Sequence, residues 1–470
     1  LALGASPLLT LAAGASRAAD KPADVLILGA GIAGLHAARM LQAAGLEVSV
    51  LEASQRIGGR CWTRHDVTGR PEMGAAQIGR GYGRVRANAA ELGVVLSDPP
   101  PGGSTQMGLS PMAISLGGRP VEREAWAQAR WNALPAHERQ MQPLQLYAHY
   151  LMKGMPLKEL ADWLKPEFAA LDQRSLREHF VAQGASPEAL RLMNVNLAAR
   201  NLDEANTLDA MRKMHFYAWE ARQGPLSVVR DGTSALTDAM AASLRRPVAL
   251  GRVVRRIEAL PRQVVVTCAD GSEHRARACI TTIPLSVFKD VEVVGPVPAM
   301  QREAWREIRY GQMVQVFMAV DRPFWEQDGL SPETWTDGPI ERVLRLSNRD
   351  GKPGYLAAFV NGEATDRLDR MAPADVGAMV LETLHRLRPS TVGAVRVVHV
   401  HNWQQQPFNR GHIAGFAPGG IGRYMPVLDQ PVGALYFAGE HCGKLHAGLE
   451  SACESAETAA LRLLDDLDRG

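Results

Sequence analysis

The sequence predicts an α/β fold: a parallel-sheet domain built from separated stretches of chain, interrupted by a discontinuous α+β domain. Three observations predict it. A strand-helix-strand pattern opens at Asp24, a second strand-to-helix pattern begins at Leu435, and the stretch between Ala89 and Pro225 reads as mostly helical, rich in Leu, Ala, Arg and Glu. A length of 470 residues also asks for more than one core, because single cores stop growing at about 250–300 residues.

The opening unit is the most informative. Asp24-Val25-Leu26-Ile27-Leu28 is a short apolar run of the buried-strand type and passes directly into Gly29-Ala30-Gly31-Ile32-Ala33-Gly34. Leu35 to Ala44 are good helix formers, Gly45 stops the helix, and Glu47-Val48-Ser49-Val50-Leu51-Glu52 reads as the next strand. Gly29 permits a tight turn, Gly31 lets backbone N–H groups approach a pyrophosphate, and Gly34 lets helix and strand pack closely. Glu52 ends the second strand, where its carboxylate can accept hydrogen bonds from a ribose diol. Ile32, Ala33 and Ala53 flank these groups, and the whole predicts dinucleotide binding.

The next residues separate FAD from NAD. Arg56-Ile57-Gly58-Gly59-Arg60 matches the R-x-G-G-R segment that runs along the pyrophosphate and ring in glutathione-reductase-like flavoproteins. There Arg56 and Arg60 would neutralise phosphates, while Gly58 and Gly59 let backbone lie against the cofactor. Near the other end, Leu435-Tyr436-Phe437-Ala438 is a buried strand that runs into Gly439-Glu440. A helix opening with Gly448-Leu449 follows, and its small residues would let its positive end approach the same cofactor.

With both ends in view, the chain resembles the flavin-containing amine oxidase family, which includes monoamine, L-amino-acid and polyamine oxidases. The resemblance extends from Asp24 to about Leu464. It implies an FAD/NAD(P)-binding Rossmann-like domain from residues 23–88, 226–300 and 395–466, and a substrate domain from 89–225 and 301–394. Val229-Arg230-Asp231-Gly232 resembles the family's segment returning to the flavin domain, although Asp231 replaces a glycine. Val254 follows on a strand near the adenosine, and Gly74, Ala75, Ala76 and Gln77 are further cofactor contacts by the same resemblance. FAD is expected to be non-covalent, with a link through His412 as the alternative, because His412 matches the cysteine that monoamine oxidases bond to flavin.

The reaction implied is hydride transfer from the C–H bond beside an amine nitrogen to flavin, giving an imine that water hydrolyses. Trp403-Gln404-Gln405-Gln406-Pro407-Phe408-Asn409-Arg410-Gly411 resembles the W-x-x-x-P-x-x-G approach to the flavin, so Trp403 is a candidate catalytic residue. Phe408, Phe416, Tyr82 and Tyr424 are candidate pocket walls. Gln315 stands where the family usually has a lysine that holds a water against the flavin. An amide supplies neither base nor positive charge there, which points to a dehydrogenase passing electrons to a cytochrome or quinone, with an ordinary oxidase that tolerates Gln315 and is reoxidised by oxygen as the alternative. Ile413 and Leu449 stand where monoamine oxidases place their tyrosine pair. Arg80, Arg200 and Arg410 are candidate partners for a carboxylate, and an amine lacking a carboxylate is the preferred substrate.

Composition narrows partners. The formal net charge of +2 comes without a basic stripe, which argues against nucleic acid. Cys61, Cys268, Cys279, Cys442 and Cys453 form no C-x-x-C pair, and His441, Cys442, Lys444 and His446 lack a ligand spacing, so neither a disulfide framework nor a metal is expected. Residues 1–22 read as the end of an export signal with its linker, implying periplasmic or secreted destination by the twin-arginine route. No membrane span is expected, and a homodimer remains open. Three other readings compete: an L-amino-acid oxidase, an FAD-dependent desaturase or porphyrinogen-oxidase-like enzyme, and a decayed flavoprotein acting as a binding partner.

Overall fold

The computed structural model describes residues 22–98, 112–346 and 355–469, so the export-signal reading lies outside the described residues. Four parallel strands form the sheet that carries the glycine motif, in the order Leu435–Phe437, Ala278–Thr281, Val25–Leu28, Val48–Leu51. Its strands come from three remote parts of the chain. They are short and apolar, and Val25–Leu28 is buried at every position, as expected of a sheet covered on both faces. The helix Ile32–Ala43 and the last helix, Gly448–Asp468, pack on one another beside this sheet. Ala37, Ala38, Ala452, Ala456 and Ala460 are all buried; a surface of small side chains lets two helices approach closely.

A second sheet has seven strands in the order Val395–Asn402, Met313–Val320, Tyr355–Asn361, Arg342–Leu346, Thr334–Thr336, Ala113–Leu116, Arg119–Val121. Strand alternation decides what this sheet shows to each side. Val314, Val316, Met318 and Val320 join Val376, Val380, Leu384 and Leu387 of the helix Pro373–Leu387 in one apolar cluster. Gln315 and Phe317 therefore face the other way, toward the parallel-sheet domain. This arrangement moves one expected boundary. The strand Val395–Asn402, placed by sequence in the FAD-binding segments, pairs with Met313–Val320 in the seven-stranded sheet. Only the residues after it, beginning at Trp403, reach the cavity described below.

Among the described residues between Ala89 and Pro225, helices such as Pro143–Met152, Leu176–Ala182, Pro187–Met193 and Thr207–Gln223 alternate with loops, and Ala113–Leu116 and Arg119–Val121 are strands of the seven-stranded sheet, so the stretch is less uniformly helical than expected. No described helix is long and apolar enough to cross a membrane. All five cysteines are buried and free.

Candidate active site

A cavity of about 1060 Å³ runs between the two sheets. One end is built by the glycine turn. Gly29 has φ +102°, a left-handed value that glycine adopts without strain, and a Cβ there would stand 2.6 Å from Thr282 Oγ1. A Cβ on Gly34 would stand 2.0 Å from Gly29 O, so helix and strand touch backbone to backbone. Gly34 thus acts behind the cavity, while Gly29, Gly31, Ile32 and Ala33 line it. The helix beginning at Ile32 has no acid in its first turn and no side-chain cap, leaving its first N–H groups for an anion.

Glu52 and Ala53 line the same end. Glu52 is held by backbone donors, Ala30 N at 2.7 Å and Ser54 N at 2.9 Å. Its carboxylate oxygens keep lone pairs for a diol. Val254, with Gly251 to Val253 before it, closes this end from a third segment.

The middle of the cavity joins the two remote motifs. Gly58 N donates to Ala30 O at 2.9 Å, which lays the R-x-G-G-R loop along the glycine turn. A Cβ on Gly59 would come within 3.3 Å of Gly31 Cα, and its φ of +57° is left-handed, so glycine is favoured at this approach too. Arg56 donates to Ile57 O and Gly59 O and stacks over Trp62 at 3.9 Å. Arg60 donates to Glu440 Oε2 at 3.1 Å and to His412 O at 2.9 Å. Glu440 also accepts from Ala414 N at 3.2 Å. One part-buried ion pair therefore ties the loop after the first strand pair to the Gly-Glu turn after the last strand. Gly439, Glu440, Gly448 and Leu449 all line the cavity beside it.

At the far end stands Trp403. Its Nε1 donates to Gln315 Oε1 at 3.1 Å and to Met73 O at 3.3 Å. With its oxygen so engaged, the Gln315 amide nitrogen keeps donors with no partner among the described residues, and Gln315 lines the cavity. His401, paired opposite Gln315, lies edge-on to Trp403 at 4.6 Å and to Trp62 at 5.3 Å. Burial, with the charges of His399, Arg56 and Arg64, lowers its pKa to about 3, so the ring behind these two tryptophans is neutral. Gly74 and Ala75 complete the end, and a Cβ on Gly74 would stand 3.2 Å from the Trp403 ring.

Of the residues expected in the substrate pocket, Phe408, His412, Ile413 and Leu449 line this cavity. Phe416 lines a second cavity of about 650 Å³, which Ile413 and Arg410 share with the first. Tyr82 lines neither: its ring packs against Phe216 at 5.9 Å in the interior. Ala76 and Gln77 also line neither, because the chain turns away to pair Ile78 with Ser227. Tyr424 is likewise off the cavities, its hydroxyl donating to Glu303 at 2.9 Å. The three arginines considered for a carboxylate all have partners: Arg80 donates to Pro225 O, Arg200 pairs with Asp366, and Arg410 with Asp290. His412 Nδ1 is 2.8 Å from Gly311 O, which makes that nitrogen the donor and the other the free base. Sequence reasoning did not single out Ser54 or Met313, which line the large cavity, nor the polar side chains of the second. Thr282, Ile283 and Pro284 line the large cavity as well.

The residues present fit an FAD: a helix N-terminus without acids, glycines that bring backbone within contact distance, an acid at the ribose position and an apolar ring end. The chain matches the flavin containing amine oxidoreductase family over residues 32–464.

It belongs to that family.

Similar proteins include the L-amino acid oxidase Lm29 of Lachesis muta, 24% identical over 96% of this chain and 89% of that protein. Among solved structures, cyclohexylamine oxidase from Brevibacterium oxydans IH-35A superimposes with a TM-score of 0.78, at 21% identity, covering 96% of this chain and all (100%) of that one. Wild-type putrescine oxidase bound to putrescine gives 0.77 at 22% identity, covering 96% of this chain and 100% of that one. The family is one of FAD-dependent enzymes that oxidise amines, and the parallel-sheet domain described above is its Rossmann-like cofactor domain. Among the described residues no group of His, Cys, Asp or Glu is placed to hold a metal ion.

Proposed function

We propose that the chain is an amine dehydrogenase whose reduced flavin passes electrons to an acceptor other than oxygen, and that it works in the periplasm or outside the cell. The single observation that carries the choice of acceptor is Gln315, a buried neutral amide bonded to Trp403 where a lysine would place a cation. Oxygen reduction begins with a developing negative charge, and a fixed positive group is what stabilises it. A cytochrome or quinone needs no such group.

Bound flavin supplies the acceptor for a hydride from the carbon beside the amine nitrogen. Trp403 and Gln315 hold the ring-end wall in one position, which orients the substrate carbon. Ile413, Leu449 and Phe408 present apolar surface in place of an aromatic cage. An alkylamine titrates near about 10, and apolar walls disfavour its charged form, so they favour the free base whose lone pair assists hydride departure. Arg80, Arg200 and Arg410, being engaged by protein groups, give no support to a clamp on an α-carboxylate. The Trp403 to Gly411 segment speaks against the desaturase reading. Non-covalent FAD remains the proposal, with the His412 ring nitrogen as the place to look for a link.

The test is anaerobic mixing with an amine panel followed by oxygen or cytochrome. Flavin reduction by amines, slow reoxidation by oxygen and fast reoxidation by cytochrome or quinone is expected. Fast peroxide formation in air overturns the acceptor proposal, and no reduction by any amine favours a decayed flavoprotein. Export is tested separately, by asking whether the natural gene product is recovered outside the cytoplasm with FAD already bound.

A further inference from the structure

The second cavity carries a charge pattern that amine oxidation by itself does not require. Six cationic side chains line it against two acids, Glu204 and Asp209, with Arg200 and Arg410 also paired to Asp366 and Asp290 outside the lining. Both lining acids are already paired. Glu204 meets Arg200 and Arg309. Asp209 accepts from Arg212 at 2.9 Å and from Lys213 at 2.8 Å. Lys289 and Arg306, exposed on the lining, have no acid partner among the described residues.

Inside, Lys213, Tyr147 and Tyr217 hold donors toward the space. Lys213 Nζ gives one hydrogen to Asp209 and one to Ala414 O at 3.0 Å, next to Ile413 where the two cavities meet. An ammonium has three donors, so one remains without a protein partner among the described residues. Tyr147 and Tyr217 line the same space, and their hydroxyls have no hydrogen-bond partner among the described residues. The remaining walls include Leu144, Met193 and Met214, which suit an alkyl chain. Among the described residues, the lining offers no unpaired carboxylate to receive a second ammonium.

We propose that this cavity receives the far end of the substrate and selects amines whose far end carries an anion, a carboxylate in the simplest case, over alkylamines and above all over diamines. Lys213, with Tyr147 and Tyr217, is the specificity-determining group. The proposal rests on the amine-oxidation reading of the larger cavity, and its test separates the two.

The holoenzyme is given straight-chain ω-amino carboxylates, alkylamines and α,ω-diamines of matched length, and anaerobic flavin reduction is followed over a concentration series. In parallel, binding of the unreactive carboxylates that lack the amine is measured by calorimetry. The expected order is amino carboxylate, alkylamine, diamine, with roughly tenfold or more between first and second, the scale of one charge-assisted hydrogen bond. Lys213→Met should collapse that ratio and weaken carboxylate binding by a similar factor. Tyr217→Phe, which leaves the Asp209 pairs intact, should weaken carboxylate binding severalfold and serves if Lys213→Met fails to fold. Diamines reducing the flavin as well as amino carboxylates, or carboxylate binding insensitive to both substitutions, overturns the proposal. Carboxylate binding that depends on Lys213 without flavin reduction by any amine upholds this site and ends the amine-oxidation reading instead.

Discussion

Gly34→Ala tests the packing that shapes the phosphate end of the cofactor cavity. The new Cβ would stand 2.0 Å from Gly29 O and 3.1 Å from Ile27 Cγ2. Ordinary contact begins more than about 1 Å further out, so the helix Ile32–Ala43 must retreat by that much from the strand Val25–Leu28. Overpacking of this kind costs about 1–3 kcal/mol of stability. It would also carry the helix N-terminus away from the phosphate position, and the loss of one charge-assisted hydrogen bond there weakens binding by roughly tenfold or more. Gly45→Ala is the control. Gly45 has φ +91° but an added Cβ would meet nothing within 4 Å, so the change strains the backbone by about 1–2 kcal/mol without touching the cavity. FAD affinity, followed by quenching of its fluorescence on titration into apoprotein, should fall sharply in Gly34→Ala and stay near wild type in Gly45→Ala. Equal affinity in wild type and Gly34→Ala at matched folded fraction would refute the reasoning.

Glu440→Ala should cost about 2–3 kcal/mol in chemical denaturation and loosen FAD, because it leaves the largely buried Arg60 with only a carbonyl partner; a loss under about 0.5 kcal/mol would contradict the clamp. Gln315→Lys should speed reoxidation by oxygen roughly tenfold or more in stopped flow, since it restores a cation beside the ring end. Stability should fall on acidification. Burial lowers His401 to about 3 and His441 to about 4 from an ordinary 6.5, so the folded protein keeps both neutral while the unfolded chain takes up protons. The stabilisation is fully present above pH 6.5 and is lost as pH falls toward 4, at about 1.4 kcal/mol per pH unit for each histidine. Denaturation midpoints across that range should show a shallower slope in His401→Leu. An unchanged slope would mean His401 is not held neutral.

The cofactor end of the cavity was legible because its chemistry is local. A glycine turn, a strand-terminal acid and a paired-glycine loop each declare themselves within a few residues, and parallel strands read as unbroken apolar runs. What sequence missed depends on direction in space. Tyr82 lies close in sequence to the loop that carries Gly74 and Ala75, yet its ring turns to Phe216. The family layout assigns the strand Val395–Asn402 to the cofactor domain, although its own hydrogen bonds go to Met313–Val320. Lys213 and Tyr217 lie one turn apart on the helix Thr207–Gln223 and gain meaning only where Tyr147 and Ala414 meet them. No spacing along the chain announces such a cluster.

The most direct measurement is the nucleotide content of the purified chain. One FAD per polypeptide is expected, released by denaturation and lost from Glu440→Ala and Gly34→Ala on dialysis before it is lost from wild type. Colourless protein that takes up no FAD on reconstitution would contradict the account.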